Sequence, residues 1–363
     1  MKTAYLAFRP CENHQPTREN FLKVGSNTGN LVFDASLRTT IQCTPLLHEE
    51  LEQRSWEFDA LVVRNFIWMS ENKDMSSFRE IMKRFGQKPI IPISAGLQSP
   101  DFRPDFHLHP ETAKILQELS ERCCIGVRGE YTARILEKHG IRNLRIIGCP
   151  SLYYRPNFNR KICPAPQITK ENVLSNYKTL SKTLDTPLDH GILNYLAQNT
   201  GQFVEQTPCY LPDRLRTSSF SNFMKFYQTR KLFFRFEDWL HFVSGKSFSI
   251  GGRFHGNVVP VLAGVPALFV VFDSRTRELT DFFSLPTIDA ADFDPQKPLQ
   301  YYYELADYSR FNRRYPILLE NFIDFCLENG LELTSGMGTY FHRKLTGKGG
   351  AGHADSQAAG MLS

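Results

Sequence analysis

The segment Ser249-Ile250-Gly251-Gly252-Arg253-Phe254-His255-Gly256 sets an arginine and a histidine two residues apart, directly behind a pair of glycines. Apolar runs flank it. Residues 239–249 read as a short helix ending in a strand, 257–265 as a helix, and 266–272 (PALFVVF) as a buried parallel-type strand. Glycines at a strand-to-helix turn let backbone approach a ligand closely, and the helix start that follows offers unpaired N–H groups to an anion. Arg253 adds a fixed positive charge, and His255 adds a group that titrates near neutrality. Such a turn suits a small phosphorylated acid.

Two further arginines stand where strands are expected to end. Arg128 follows the apolar run 124–127 and precedes Gly129 and a helix beginning at Glu130. In open α/β sheets, ligands bind beyond the carboxyl ends of strands, where Arg128 would lie. Its alternative role is an ion pair with Glu130 or Glu137. Arg275 comes just after the PALFVVF strand. Asp273 beside it reads as a helix N-cap, with Ser274, or as a group orienting Arg275 or an acceptor hydroxyl. Asn27, Gly29 and Asn30 make a polar turn ahead of 31–33, and the run 92–98 (PISAGLQ) closes a strand with a glycine and the amide Gln98. His107 and His109 sit one residue apart, but no cysteine or carboxylate cluster completes a site, so no metal is expected. The aromatic run 301–303 could stack on sugar rings, although ordinary packing is the commoner use of aromatics. No P-loop, G-x-G-x-x-G, G-x-S-x-G or EF-hand pattern occurs.

Holding these residues in place requires a sheet-bearing scaffold. At 363 residues the chain divides most naturally into two domains, and 41% hydrophobic residues give each a sizeable core. Strand-like runs at 3–8, 60–64, 89–94, 124–127 and 144–147 alternate with helical patterns at 76–85, 110–122 and 130–139. That alternation implies βαβ units and a parallel sheet covered on both faces. The pattern loosens through 153–167 and then resumes, helical at 188–199, 221–229 and 236–243 and strand-like at 202–210. A helix at 316–329 is expected to close the fold. The Gly/Ala/Ser-rich tail 346–363 is expected to be disordered. The 43 basic and 38 acidic residues leave a net charge of +5 without a dense basic run, which excludes nucleic-acid binding. The excess suits anionic substrates, or anionic lipid headgroups through peripheral membrane association. Eight cysteines form no C-x-x-C pair, and adjacent Cys123 and Cys124 suit a disulfide poorly, so reduced thiols are expected. The apolar stretch at the N-terminus is too short for a signal peptide, and no run approaches the ~20 apolar residues of a spanning helix. A soluble, cytoplasmic protein is expected.

Three blocks resemble the polysaccharide pyruvyl transferases. Residues 248–286 (FSIGGRFHGNVVPVLAGVPALFVVFDSRTRELTDFFSLP) are similar to that family's C-terminal signature. Residues 124–153 (CIGVRGEYTARILEKHGIRNLRIIGCPSLY) carry an arginine after a strand and a GCPSL-like turn, as the family does. Residues 25–30 (GSNTGN) match its Asn- and Gly-rich turn. The resemblance implies an α/β protein of two Rossmann-like domains facing across a cleft in the GT-B manner, with 1–155 on the acceptor side and 156–340 on the donor side. It implies transfer of a pyruvyl group from phosphoenolpyruvate, a co-substrate with no further cofactor, onto two hydroxyls of a sugar. The product is a pyruvate ketal on a polysaccharide, oligosaccharide or lipid-linked unit, with release of phosphate. It further implies that Arg128, Gly252, Arg253, Phe254, His255 and Arg275 hold the donor and that His255 and Arg128 are catalytic; the candidate acceptor contacts, Asn27, Gly29, Asn30 and Gln98, come from the residues themselves. His255 would be the general acid, or the proton donor to the departing phosphate. The chain departs from the family at Phe254, where many relatives carry leucine, and at Gly251-Gly252, where a Gly-Thr pair is common. At Arg275 relatives often have lysine, so charge is kept while geometry changes. Asp273 and His14 are the candidate bases. Two other readings stand beside this one: a GT-B glycosyltransferase using a nucleotide sugar, with Glu278 as its ribose-binding carboxylate, and a catalytically inactive glycan-binding relative. The acceptor sugar and the oligomeric state stay open.

Overall fold

The computed structural model describes residues 1–11, 13–179, 186–207 and 221–334; the tail 346–363 and the end of the strand-like run 202–210 lie outside the described residues. The first sheet is built from β1 (Thr3–Leu6), β2 (Thr44–Leu46), β3 (Ala60–Val63) and β4 (Ile90–Pro92), ordered β2-β1-β3-β4 with every pairing parallel. A parallel pair, β5 (Ile125–Val127) and β6 (Leu144–Ile146), continues it through a bridge between Ala95 and Val127. The second sheet contains β7 (Val173–Asn176), β8 (Gln202–Phe203), β9 (Phe248–Gly251), β10 (Ala267–Val271) and β11 (Thr287–Asp289), ordered β11-β10-β9-β7-β8 and again wholly parallel. Strands such as ALVV and ALFVV are buried along their whole length, as a sheet covered on both faces demands.

The two sheets repeat one winding scheme. In each, the first strand (β1 or β7) has its successor on one side and the third strand (β3 or β9) on the other. Where the winding reverses, successive crossovers lead away from each other and leave a crevice at the carboxyl ends of the strands. The carboxyl ends of the two sheets face each other, because residues just past β5 and β9 meet residues just past β10 and before the helix Gly29–Thr40. The protein is therefore two Rossmann-like halves across a cleft.

Three strands, β2, β7 and β11, escaped the hydrophobic pattern. β2 reads TPL and sits at the sheet edge, where a proline is tolerated. β7 reads VLSN and lies in the middle of its sheet. Its polar side chains are satisfied internally: Ser175 bonds the Thr200 hydroxyl at 2.7 Å, and the Asn176 amide donates to Asn257 at 2.8 Å. The strands of the first sheet all precede residue 155 and those of the second follow it. The helix Ser309–Glu328, assigned from sequence to the second half, nevertheless returns to the first. Its stripe of Phe311, Tyr315, Leu319, Phe322 and Cys326 is buried, with Tyr153 stacked on Phe322 at 4.4 Å between ring centres. Asn321 donates to the Ile146 carbonyl at 2.6 Å. No helix among the described residues is long and apolar enough to cross a membrane, and the seven described cysteines are all unbridged.

The end of that helix is pinned by one amide. Asn329 accepts from the Cys124 N–H at 2.9 Å and donates to the Cys124 carbonyl at 3.1 Å. Both backbone groups are buried, so Asn329→Ala is expected to lower stability by about 2–4 kcal/mol. The measurement is a shifted urea midpoint; an unchanged midpoint would show that the clasp contributes nothing.

Candidate active site

The Gly251-Gly252-Arg253 turn is possible only because side chains are absent from it. A Cβ on Gly251 would overlap the Asn176 carbonyl oxygen, and one on Gly252 would lie 2.5 Å from the Phe272 ring. A buried amide network then fixes the turn. Asn176 Oδ1 accepts from the Arg253 N–H at 2.8 Å, while Asn257 donates to the carbonyls of Gly251 at 2.8 Å and Leu268 at 3.2 Å. Ser249 donates to Asn257 Oδ1 at 2.8 Å. The helix Phe254–Leu262 leaves this turn with Arg253 at its N-cap and no side chain capping its first amides, which keeps them available to an anion.

Around the turn lies a group of cations from both halves. Arg128 extends from the end of β5, its N–H bonded to the Ala95 carbonyl at 2.9 Å and its Nε to Ser94 at 3.3 Å. Gly96 leaves room for its stem. Neither Glu130 nor Glu137 pairs with it among the described residues. Arg275, near the start of the helix Ser274–Phe283, lies 3.8 Å from Asp273, and Lys178 lies 3.5 Å from the same carboxylate. Burial, then the charge of Arg275, pushes the Arg128 pKa down. Burial also pulls Lys178 down to about 8, against the opposing pull of Asp273. Asp273 caps its helix by accepting from the Thr276 N–H at 2.8 Å. Burial works against its charge, but Arg275, Lys178 and that cap hold its carboxyl below the ordinary range. Arg128 Nη1, Arg253 Nε and Nη2, and Gln206 Nε2 are buried without a hydrogen-bond partner among the described residues. Unpaired buried donors of this kind are rare and costly, so they point to an absent acceptor.

His255 is held between the halves. Its Nε2 lies 2.9 Å from Ser151 Oγ and 3.9 Å from Cys149 Sγ, in the turn after β6. On its other side is Gly29, where an added Cβ would sit 2.8 Å from His255 Nδ1 and 2.8 Å from Gln206 Oε1. The Thr28 N–H donates to the Gln206 carbonyl at 2.9 Å, and Asn27 Oδ1 accepts from the Gly29 N–H at 2.9 Å, so this turn is fixed as well. Burial first, and then the charges of Arg128 and Arg275, hold the His255 pKa far below neutrality. The imidazole is neutral at pH 7 until something negative arrives.

Of the residues singled out from sequence, Arg128, Gly252, Arg253, Phe254, His255, Arg275, Asn27 and Gly29 meet here, with Phe254 edge-on to the imidazole at 5.5 Å. Asn30 donates its amide to the Val24 carbonyl at 2.9 Å, on the flank of the turn. Gln98 is exposed, and its neighbour Ser99 is clasped by Ser274, which donates to the Ser99 carbonyl at 2.8 Å. His14 lies 4.0 Å from Asp238 and makes no contact with the cluster. Glu278 faces inward: both its oxygens accept from Thr132, at 2.6 Å from the N–H and 2.8 Å from the hydroxyl, and burial raises its pKa to about 7. The carboxylate is thereby tied to the first half. Lys178, Asn176, Ser151 and Gln206 were not anticipated. Asn176 ends the strand whose polar sequence concealed it, and Lys178 stands just past that end; Ser151 lay in plain view within the GCPS turn. Among the described residues no group of three or more His, Cys, Asp or Glu is placed to hold a metal ion.

Lys178 gives the cluster a pH dependence. Below about 8 it is protonated and adds to anion binding; above 8 that contribution is lost. Sulfate, whose own charge is constant, should therefore bind about tenfold more weakly at pH 9.5 than at pH 7, roughly the worth of one charge-assisted hydrogen bond. Lys178→Arg should flatten the profile. Calorimetric titration reads both, and a flat profile in the unaltered protein would remove Lys178 from the site.

Comparison with known proteins adds one decisive match. The family model for polysaccharide pyruvyl transferase aligns with residues 20–274, well over half of the chain and including the turn just described. No curated protein matches. Among solved structures, the S. aureus MnaA–UDP co-structure is 14% identical over 95% of this chain and 97% of that one, with a TM-score of 0.44. Anabaena Alr3699/HepE in complex with UDP and glucose is 10% identical over 96% of this chain and 100% of that one, at 0.45. The wall teichoic acid polymerase TagF is 11% identical over 96% and 88%, at 0.38. On the family match, the chain belongs to the polysaccharide pyruvyl transferases.

Proposed function

We propose that the cleft binds phosphoenolpyruvate and transfers its pyruvyl group, as a ketal, to two hydroxyls of a glycan, either free or lipid-linked. The observation that carries this reading is the set of buried, partnerless guanidinium N–H groups of Arg128 and Arg253, contributed by opposite halves beside Arg275 and His255. A donor with a phosphate and a carboxylate asks for two or three cations. Arg128 on one side and Arg253, Arg275 and Lys178 on the other supply them.

The chemistry follows from charge. Arrival of a multiply charged anion favours the protonated imidazole, reversing the effect of the neighbouring arginines. The His255 imidazolium delivers its proton to the methylene carbon, and C2 gains carbocation character. One sugar hydroxyl adds to C2 and the C2–O bond to phosphate breaks, with the arginines stabilising charge on the leaving group. A second hydroxyl of the same sugar closes the ring. Two hydroxyl protons are released; one restores the imidazolium and the other leaves on phosphate. Asp273, held ionised by two cations, is a weak base, and His14 stands on another wall. The inward-facing Glu278 disfavours the nucleotide-sugar alternative. The protein is placed with cytoplasmic polysaccharide assembly on the same reading.

The test supplies phosphoenolpyruvate and a panel of hexosides, and follows phosphate release together with an acceptor mass gain matching a pyruvyl ketal. His255→Ala and Arg128→Ala should each lower kcat/KM by about 10²–10⁴-fold with circular dichroism unchanged. Normal turnover by both would discard the reading. Gly29→Ala, which crowds the imidazole, should lower kcat while phosphoenolpyruvate affinity stays within about threefold.

A further inference from the structure

The winding reversal of the second sheet, between β7 and β9, is occupied by the cation cluster. The first sheet has the same reversal between β1 and β3, and it too is hollow: a cavity of about 360 Å³ opens at the carboxyl ends of those strands. That is within the range of small-ligand pockets, on the order of 300–1,000 Å³. Its walls differ in chemistry from those of the cluster. We propose that this crevice, lined by Phe8, Asn30, Arg64, Asn65 and Trp68, seats the acceptor as an uncharged hexose unit stacked on the Trp68 ring. The word acceptor rests on the transfer reading above; binding of the sugar does not.

Four observations support it. Trp68 is 42% exposed where the crevice opens, although large apolar side chains are normally buried. An indole face is electron-rich, and the C–H groups on one side of a pyranose carry the complementary partial charge. Asn65, half-buried just past β3, has an amide with no hydrogen-bond partner among the described residues, so donor and acceptor atoms stand ready for hydroxyls. Arg64 does not make the crevice an anion site, because its charge is matched. Its Nη1 lies 3.1 Å from Asp34 and 2.6 Å from the Leu6 carbonyl, and its guanidinium packs 3.3 Å over the Phe8 ring. Lys73 stands at the rim, 5.9 Å over the Trp68 ring. Finally, Asn30 follows Gly29, the residue packed against His255, so a sugar held here lies alongside the turn that borders the imidazole.

The chain's three tryptophans make the test direct. Trp239 is fully buried and Trp56 is 75% exposed elsewhere, so in Trp56→Phe the accessible indole is Trp68. The methyl glycosides of glucose, galactose, mannose and N-acetylglucosamine are titrated into that variant, and into the unaltered protein, Trp68→Ala and Asn65→Ala by calorimetry. At least one glycoside should quench fluorescence saturably and lose at least tenfold in affinity in Trp68→Ala and about fivefold in Asn65→Ala, while sulfate binding is unchanged in both. Absence of saturable quenching by all four, or full affinity in Trp68→Ala, overturns the proposal. If glycosides bind through Trp68 but phosphoenolpyruvate does not bind at all, the donor reading falls and the crevice stands. The converse pattern removes the crevice and leaves the donor site intact.

Discussion

Burial of several like charges together governs this protein's cleft: desolvation is the larger cost to each, and mutual repulsion adds to it. Arg275 acts on Arg128 from the first half and on Lys178, Arg253 and His255 from the second, in every case disfavouring the neighbour's charged form. Asp273 answers part of that charge, and Glu205 lies near Arg253 but has its oxygens engaged by Thr179, Tyr227 and the amides of residues 206 and 207. What remains is a buried surplus of positive charge with unpaired donors, which is expensive to keep dry. An anion that accepts from those donors relieves the strain on both halves simultaneously. On the proposed reading, one anion draws on donors from both halves, and its charge favours the protonated form of the histidine.

Charge of this kind is useful only on a rigid support. The support is a set of absences and amides: glycines at 251 and 252 that let β7, β9 and the Phe272 ring close up, and Asn176 with Asn257 satisfying backbone that a longer turn would leave bare. The polar core of β7 is therefore not a weakness in the sheet. It is where the turn bearing Arg253 is anchored.

Much of this could be read from residue order. The Gly-Gly-Arg-x-His turn, the arginines past β5 and β10 and the alternating strands all announce themselves, because glycine geometry and apolar periodicity are local properties. Lys178 did not, since the strand just before it satisfies its polar side chains through partners on Thr200 and Asn257, far away in the chain. The helix Gly29–Thr40 was read only as a polar turn at its start, and Glu278 was considered only as a ribose-binding carboxylate, although a glycine at 129 makes room for it inward. Each of these depends on what another segment brings, which no local pattern encodes. The crevice beside Trp68 belongs to the same class: an exposed indole means little until the reversal of strand order places it over a hollow.

The returning helix has a consequence for how such proteins diversify. Because Ser309–Glu328 is sewn to β6 and to Cys124, the half that carries the first sheet is not contiguous in sequence. A gene rearrangement that swapped halves at the linker near residue 155 would strand an oily stripe of phenylalanines on the wrong partner. Exchange of the first sheet for another would have to carry the terminal helix along with it.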